Sequence, residues 1–294
     1  MTMKRLLIIG GSGQLGAALR KDASFFGYEV FSPSKKDLDI TCESSILEEY
    51  VQDCAPNLVI NAAAYNLVAS SENFPLEAMN LNCFFVANLA AACSKISAPL
   101  VTYSTDYVFD GKKGSPYIEH EQPNPLQMYG ISKCAGEYAA RAYYEMGSIV
   151  IRTCGIYGGI SGSRQKGGNC VLNFIRQLRL GLSFSVSADQ WATPTYAQSV
   201  SCATLALLET EPAAGIYHLV NEGHCSWYDF AREIKLLIGS STHIEPIETD
   251  KSTVPARPLF SVLSNAKAKR LGIQLPFWKD ALAQYIESEL LLNR

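Results

Sequence analysis

The run Leu6-Leu7-Ile8-Ile9 leads directly into Gly10-Gly11-Ser12-Gly13-Gln14-Leu15-Gly16. This junction limits the fold more than any other stretch. A short continuous apolar run bounded by glycines suits a strand buried on both faces of a parallel sheet. Leu15, Ala18, Leu19 and Phe25-Phe26 then mark the apolar face of a helix. Strand, glycine turn and helix in that order open a βαβ unit of the kind that binds a dinucleotide. Gly10 permits the tight turn, Gly13 lets backbone approach a pyrophosphate, and Gly16 lets the helix pack closely on the strand. The competing explanation is an ordinary turn with incidental glycines, and the flanking strand and helix weigh against it.

The pattern repeats along the chain. Strands are expected at Tyr28–Phe31, Asn57–Ile60, Pro99–Tyr103 and Ile149–Arg152, with helices at Ser44–Gln52, Pro75–Ser94 and Gln127–Met146. Strands alternating with helices five times predict an α/β fold with a Rossmann-like, doubly wound parallel sheet. Beyond Arg152 the character changes. Gly155–Gly168 holds six glycines, and a loop that long is usually functional. Then come a helix over Asn169–Leu180, a strand-like Phe184–Val186, and the polar, aromatic turn Asp189–Tyr196 leading into a helix that ends near Leu208. A strand over Gly215–Val220, a helix over Ser226–Ile238 and a last amphipathic helix from Trp278 complete the chain. The expected division is a cofactor-binding domain of residues 1–152 with about 197–220, and a smaller C-terminal substrate-binding domain of about 153–196 and 221–294.

Composition excludes several classes. The 294 residues are 48% hydrophobic and 18% charged with net charge -3, which is globular and offers no basic block for nucleic acid or an anionic membrane. The apolar run near the N-terminus is too short for a signal-peptide core, and no uninterrupted apolar run approaches the length of a membrane span. Nine cysteines without C-x-x-C spacing read as reduced core residues of a cytoplasmic protein, and four histidines without H-x-x-x-H spacing predict no metal site.

The chemistry concentrates between Val101 and Lys133. The fourth strand delivers Ser104 and Thr105, and Tyr129 and Lys133 follow one helical turn apart, on one face. An unperturbed tyrosine is a poor acid at pH 7, and a nearby ammonium lowers its pKa. Tyr129 is thus expected to be a general acid, with Thr105 or Ser104 fixing the oxygen of a carbonyl that takes a hydride from a nicotinamide. The residues after the second strand bear on the cofactor. Ser32, Ser34, Lys35 and Lys36 suit the 2′-phosphate of NADPH, whereas Asp37 and Asp39 keep NADH open. Ala62, Ala63 and Ala64 follow the third strand, where small residues admit a close ligand. Asn80 and Asn82 sit inside an apolar helix, where an amide needs a partner.

The ordered set G-G-S-G-Q-L-G, N-A-A-A-Y, S-T-D-Y-V-F-D-G, Y-G-I-S-K, R-T-C-G-I-Y-G, D-Q-W-A-T-P-T and A-R-P resembles the extended short-chain dehydrogenases/reductases. It is most similar to the dTDP-4-dehydrorhamnose reductase family over nearly the whole chain. The resemblance implies reduction of a nucleotide-linked 4-keto-6-deoxy sugar by NAD(P)H. It implies catalytic roles for Thr105, Tyr129 and Lys133, with Tyr129 and Lys133 also touching cofactor. It implies cofactor contacts from Gly10, Gly13, Gln14, Leu15, Gly16, Asp39, Ile40, Ala62, Ala63, Ala64, Tyr65 and Asn82. Asp106, Gln190 and Arg257 would lie on the substrate side, where a cation suits the nucleotide diphosphate. A homodimer is left open.

Two departures bear on the sugar. The family commonly has tryptophan where this chain has Gly155, and V-D-x-A-E where it has Val68-Ala69-Ser70-Ser71-Glu72. A related nucleotide-sugar 4-ketoreductase is therefore an alternative. So is a non-catalytic NADP-binding subunit like the beta subunit of methionine adenosyltransferase, which resembles the same family. An epimerase or dehydratase ranks third, because Tyr107 and not an acid follows Asp106.

Overall fold

The computed structural model describes residues 3–159, 167–250, 252 and 254–291. Six parallel strands form the central sheet: β1 (Lys4–Ile9), β2 (Tyr28–Phe31), β3 (Leu58–Asn61), β4 (Leu100–Thr105), β5 (Ser148–Thr153) and β6 (Gly215–His218). Their spatial order is β6-β5-β4-β3-β1-β2. The chain runs outward from β1 to β2 and then returns past β1 to β3. That reversal opens a crevice at the carboxyl ends of β1 and β3, where doubly wound sheets bind ligands.

Helices cover both faces, as an all-parallel sheet requires. One face carries α1 (Gln14–Ala23), whose Leu15, Leu19 and Ala23 pack on Leu6, Ile8 and Ile60. The other carries α2 (Ser44–Cys54) and α3 (Pro75–Lys95), with Leu47, Val51, Phe85 and Leu89 against Leu7, Ile9 and Val59. By length and composition α3 could cross a membrane; here its apolar face covers the sheet. Next to α3 lies α4 (Met128–Tyr143), and on the α1 face lies α5 (Ala197–Glu209), whose Val200, Ala203 and Leu207 join the same core.

The sixth strand comes from the stretch 215–220, so a segment late in the sequence completes the first sheet beside β5. A second core gathers Tyr157, Val171, Ile175, Tyr196, Phe230, Trp278 and Tyr285, from the short Ile156–Tyr157 and Thr195–Tyr196 strands and the helices Cys170–Leu180, Trp227–Leu237 and Trp278–Tyr285. Of the expected glycine-rich loop, residues 160–166 lie outside the described residues. Elsewhere the expected elements appear with shifts of a few residues at their ends. Two helices differ in kind: Asn80–Phe84 forms one wide π turn within α3, and the last helix continues as a π segment over Ile286–Leu291.

Candidate active site

The crevice is shaped to admit backbone and little else. Gly10 has φ +80°, and a Cβ there would lie 2.6 Å from Ala63 N and 2.8 Å from Ala62 C. Gly16 lies against Gly10 O so closely that a Cβ would collide with it. The first turn, the N-terminus of α1 and the Ala62–Ala64 segment thus meet as a cradle for an anionic pyrophosphate. Arg20, one turn beyond Gly16, and Ser32, at the end of β2, both close on Gly11. Arg20 went unnoticed in the sequence; its i+4 spacing from Gly16 was the available signal. Lys35 and Lys36 are exposed in the following loop. Asp39 is exposed as well, and its carboxyl, held below the usual range by Thr41 N–H and Thr41 Oγ1, caps its own turn. Ile40 packs against the α2–α3 core.

Three side chains assigned to ligand contact are engaged elsewhere. Asn82 is 1% exposed and spends its whole amide on the protein. Its Oδ1 accepts from Tyr65 N at 2.8 Å, and its Nδ2 donates to Tyr65 O at 3.0 Å and to Ser132 Oγ at 2.9 Å. Ser132 in turn donates to Tyr129 O at 2.8 Å. Asn82 therefore ties the Tyr65 backbone to the helix of Tyr129, and no donor remains for a cofactor. Asn80, by contrast, is exposed. The Gln14 carboxamide accepts from Asn169 Nδ2 at 3.0 Å, linking the glycine turn to the second core through an amide that also reaches Tyr285 OH at 3.0 Å. Gln190 is 8% exposed and donates to Thr249 Oγ1 at 2.9 Å, a hydroxyl that Asp189 also holds.

The opposite wall is α4. Gln127 Oε1 caps it from Gly130 N at 2.6 Å, and the Glu72 carboxylate accepts from Met128 N at 2.8 Å, where the helix dipole favours an anion. Gly136 lies directly on Asn82 O, so any Cβ would push α4 off α3. Tyr129 and Lys133 share the face of α4 turned toward the end of β4. There Tyr129 comes within hydrogen-bonding reach of Thr105 and packs edge-on against Tyr107, with ring centroids 6.2 Å apart. Thr105, not Ser104, is the hydroxyl in this network; Ser104 Oγ is buried with no hydrogen-bond partner among the described residues.

The electrostatics depart from expectation. Burial pushes the Tyr129 phenol up, an ionised Asp106 would push it further, and Thr105 lowers it. Lys133 is 5% exposed; burial brings its ammonium down to about 8, and Glu137 pulls it back up. Lys133 thus does not offset the burial of the phenol. The expected downward shift of Tyr129 is absent because both groups lose water and a carboxylate at Asp106 would oppose the phenolate.

Asp106 is 2% exposed, behind Thr105. Its carboxyl meets Thr105 Oγ1 at 3.0 Å, Ser261 Oγ at 2.6 Å and Cys154 Sγ at 3.1 Å. Burial pushes it up, against these three hydrogen bonds. Arg257 does reach the site: Nη1 donates to Tyr107 OH at 2.8 Å, although 150 residues separate them. Its segment is stitched in by Trp191 N to Leu259 O at 2.7 Å and Ser261 N to Trp191 O at 2.9 Å. Tyr107 and Ser261 were missed. Tyr107 stands inside a motif already quoted, but Ser261 carries no sequence signal. At Gly155, with φ +50°, a Cβ would lie 3.0 Å from the Trp227 indole. An aromatic surface therefore stands beside this glycine, supplied by another helix. A cavity of about 420 Å³ lined by Arg141, Lys267 and Arg270 lies at the start of β6, away from this chemistry.

A dinucleotide cradle at the switch point thus faces a tyrosine, a lysine and a threonine on the adjoining strand and helix. The model of the RmlD substrate binding domain family matches residues 3–291. The chain belongs to the dTDP-4-dehydrorhamnose reductase family. A dTDP-4-dehydrorhamnose reductase of Burkholderia thailandensis is 35% identical over 95% of this chain and 96% of its own. The spore coat polysaccharide biosynthesis protein SpsK of Bacillus subtilis is 33% identical over 97% and 98%. The crystal structure of a Bacillus anthracis dTDP-4-dehydrorhamnose reductase in complex with NADP superimposes with a TM-score of 0.91, at 32% identity, covering 98% of this chain and all of that one. The membership accounts for the cradle and for the strand and helix that carry the hydroxyls.

Proposed function

We propose that this protein reduces the 4-keto group of a nucleotide-linked 4-keto-6-deoxy sugar with NADPH, as a dTDP-4-dehydrorhamnose reductase acting in the cytoplasm. The observation that carries this reading is the meeting of Tyr129 with Thr105 at the carboxyl end of β4, beside the Gly10–Ala63 crevice. Gly10, Gly13, Leu15, Gly16 and Ala62 to Tyr65 would hold the cofactor mainly by backbone, with Arg20, Ser32, Lys35 and Lys36 placed for a 2′-phosphate. Bound there, NADPH supplies the hydride. Tyr129 gives its proton to the ketone oxygen as charge develops on it. Thr105 fixes that oxygen in place, and Lys133 places its ammonium beside the tyrosine for the ribose hydroxyls. Arg257, held by Tyr107, is the cation for the sugar's diphosphate. Residues 1–152 with 197–220 form the cofactor half in this reading, and the remainder the substrate half, with no role for nucleic acid or membrane.

A second reading, another nucleotide-sugar 4-ketoreductase, is favoured by one observation: Gly155 backed by the Trp227 ring gives the sugar subsite a different wall. Incubation with NADPH and dTDP-6-deoxy-L-lyxo-4-hexulose, with the product sugar read by NMR, separates them. The L-rhamno configuration is the expected product. Turnover only of the C3 or C5 epimeric ketone would move the assignment to the second reading. NADPH binding without turnover of any such ketone would overturn both and leave a regulatory, NADP-binding subunit.

A further inference from the structure

Thr105 has one proton to give, and the site makes competing demands on it. Its Oγ1 accepts from Tyr107 N at 3.2 Å, lies within reach of Tyr129, and meets Asp106 Oδ1 at 3.0 Å. A ketone oxygen only accepts hydrogen bonds, so Thr105 can hold it only by donating. With Asp106 ionised, the threonine proton is committed to the carboxylate and none is left for the substrate.

The surroundings of Asp106 do not suit a carboxylate. Its hydrogen-bond partners are the Thr105 and Ser261 hydroxyls, the Cys154 thiol and its own backbone N–H, and none is a cation. The titratable groups that feel it are Tyr129, Tyr107 and Cys154, which burial holds in their neutral forms; Arg257 is taken by Tyr107 OH at 2.8 Å, and Lys133, on the Tyr129 face of α4, has Glu137 as its acidic partner. A buried charge without a counter-ion is costly, and a protein usually avoids it by neutralising the group. Protonation on Oδ1 satisfies every atom. Oδ1–H donates to Thr105 Oγ1, Oδ2 accepts from Ser261 and Cys154, and Thr105 accepts twice while its own O–H is released.

We propose that Asp106 serves the reaction as an un-ionised carboxylic acid, donating to Thr105 Oγ1 and so directing the threonine proton at the substrate oxygen. Asp106 is then a positioning residue: it acts through Thr105 and keeps its proton throughout, and the proton that reaches the ketone oxygen is that of Tyr129. Neutrality has a second effect. An Asp106 carboxylate would repel the negative charge that forms on Tyr129 as its proton leaves, and the neutral acid removes this opposition. A carboxylic acid kept neutral by its site so that it can donate a hydrogen bond has precedent in ketosteroid isomerase.

The inference rests on the ketone-reductase reading, and its test has an arm that does not. Asp106→Asn reproduces the neutral acid, with Nδ2–H toward Thr105 and Oδ1 toward Ser261 and Cys154. Its kcat should stay within about threefold of wild type, whereas Asp106→Ala, which frees the threonine to turn, should lose about 100-fold in kcat with KM little changed. Independently of turnover, the infrared difference spectrum of wild type minus Asp106→Asn at pH 7 should carry the C=O stretch of an un-ionised carboxylic acid. Carboxylate bands in that spectrum would overturn the proposal. So would an Asp106→Asn enzyme as impaired in kcat as Asp106→Ala, or one impaired chiefly in KM, which would mean a direct contact with the sugar. If no ketone is turned over but the acid band is present, the functional reading fails while the state of Asp106 stands.

Discussion

Lys133 lies one helical turn beyond Tyr129 with only 5% of its surface exposed, and burial lowers its pKa to about 8, Glu137 opposing. Between about pH 8 and the ordinary lysine value the unfolded chain binds a proton that the folded chain does not, so stability rises with pH through that window. Below about 8 the full cost of holding a buried ammonium is present. Lys133→Met should therefore raise the midpoint of urea unfolding at pH 7, by up to about 3 kcal/mol in stability, and the gain should shrink as pH rises above 8. The same variant should lose activity. A variant less stable than wild type at pH 7 would show that the ammonium is not a burden to the fold. The conflict between stability and chemistry at one side chain is what a functional site imposes. The sequence showed which residues meet, but not that the site would be this dry, because burial is set by side chains up to 150 positions away.

The helices α3 and α4 are fixed to each other by two contacts that carry different kinds of information. Gly136 on Asn82 O is steric, and the Asn82 amide on Tyr65 and Ser132 is polar. Replacing Asn82 with Leu leaves the Tyr65 N–H and C=O without their partners in a half-buried place, a cost at the low end of about 1–3 kcal/mol for each group. Urea unfolding should register that loss, and NADPH affinity should fall with it because Tyr65 shifts. Unchanged stability with weaker NADPH binding would instead make Asn82 a direct cofactor ligand. Element types and order were legible from apolar periodicity and glycine placement, as at Leu6–Gly16. The π turn at Asn80–Phe84 was not, since a wide turn inside a helix leaves the apolar pattern nearly intact. The buried asparagine did signal that a partner was needed, without saying that the partner is backbone. Gln190 and Gln14 illustrate the reverse: both sit in motifs that point to ligands, and the Gln190 nitrogen and the Gln14 oxygen each bond within the protein.

Among the described residues, one buried ion pair joins the layers. Arg152, at the end of β5, donates from Nε and Nη2 to Glu137 on α4 at 2.8 and 2.6 Å, and from Nη1 to Glu119 O at 3.3 Å, with its guanidinium 5.0 Å from the Phe109 ring centroid. It pairs in register with His218 of β6, whose imidazole burial keeps neutral, its pKa down at about 3. Both partners of the pair are nearly unexposed. Glu137→Ala leaves the guanidinium buried beside a neutral histidine, and should cost about 3–5 kcal/mol, a large part of a typical domain's stability, whereas Arg152→Met combined with Glu137→Leu should cost much less. Chemical denaturation of the three variants checks this; equal losses in the single and double variants would mean the pair itself, not the orphaned charge, supplies the stability. The alternation of elements pointed to a parallel doubly wound sheet but not to its strand order, whose switch point explains why the cradle and the tyrosine lie at one end of the sheet. The central claim is that this end is a ketone-reducing site with Tyr129 as proton donor, and single-turnover oxidation of NADPH by the 4-keto-6-deoxy nucleotide sugar tests it most directly. Tyr129→Phe should bind NADPH as wild type does and slow the oxidation by about 100-fold or more. Oxidation at the wild-type rate in that variant would contradict the claim.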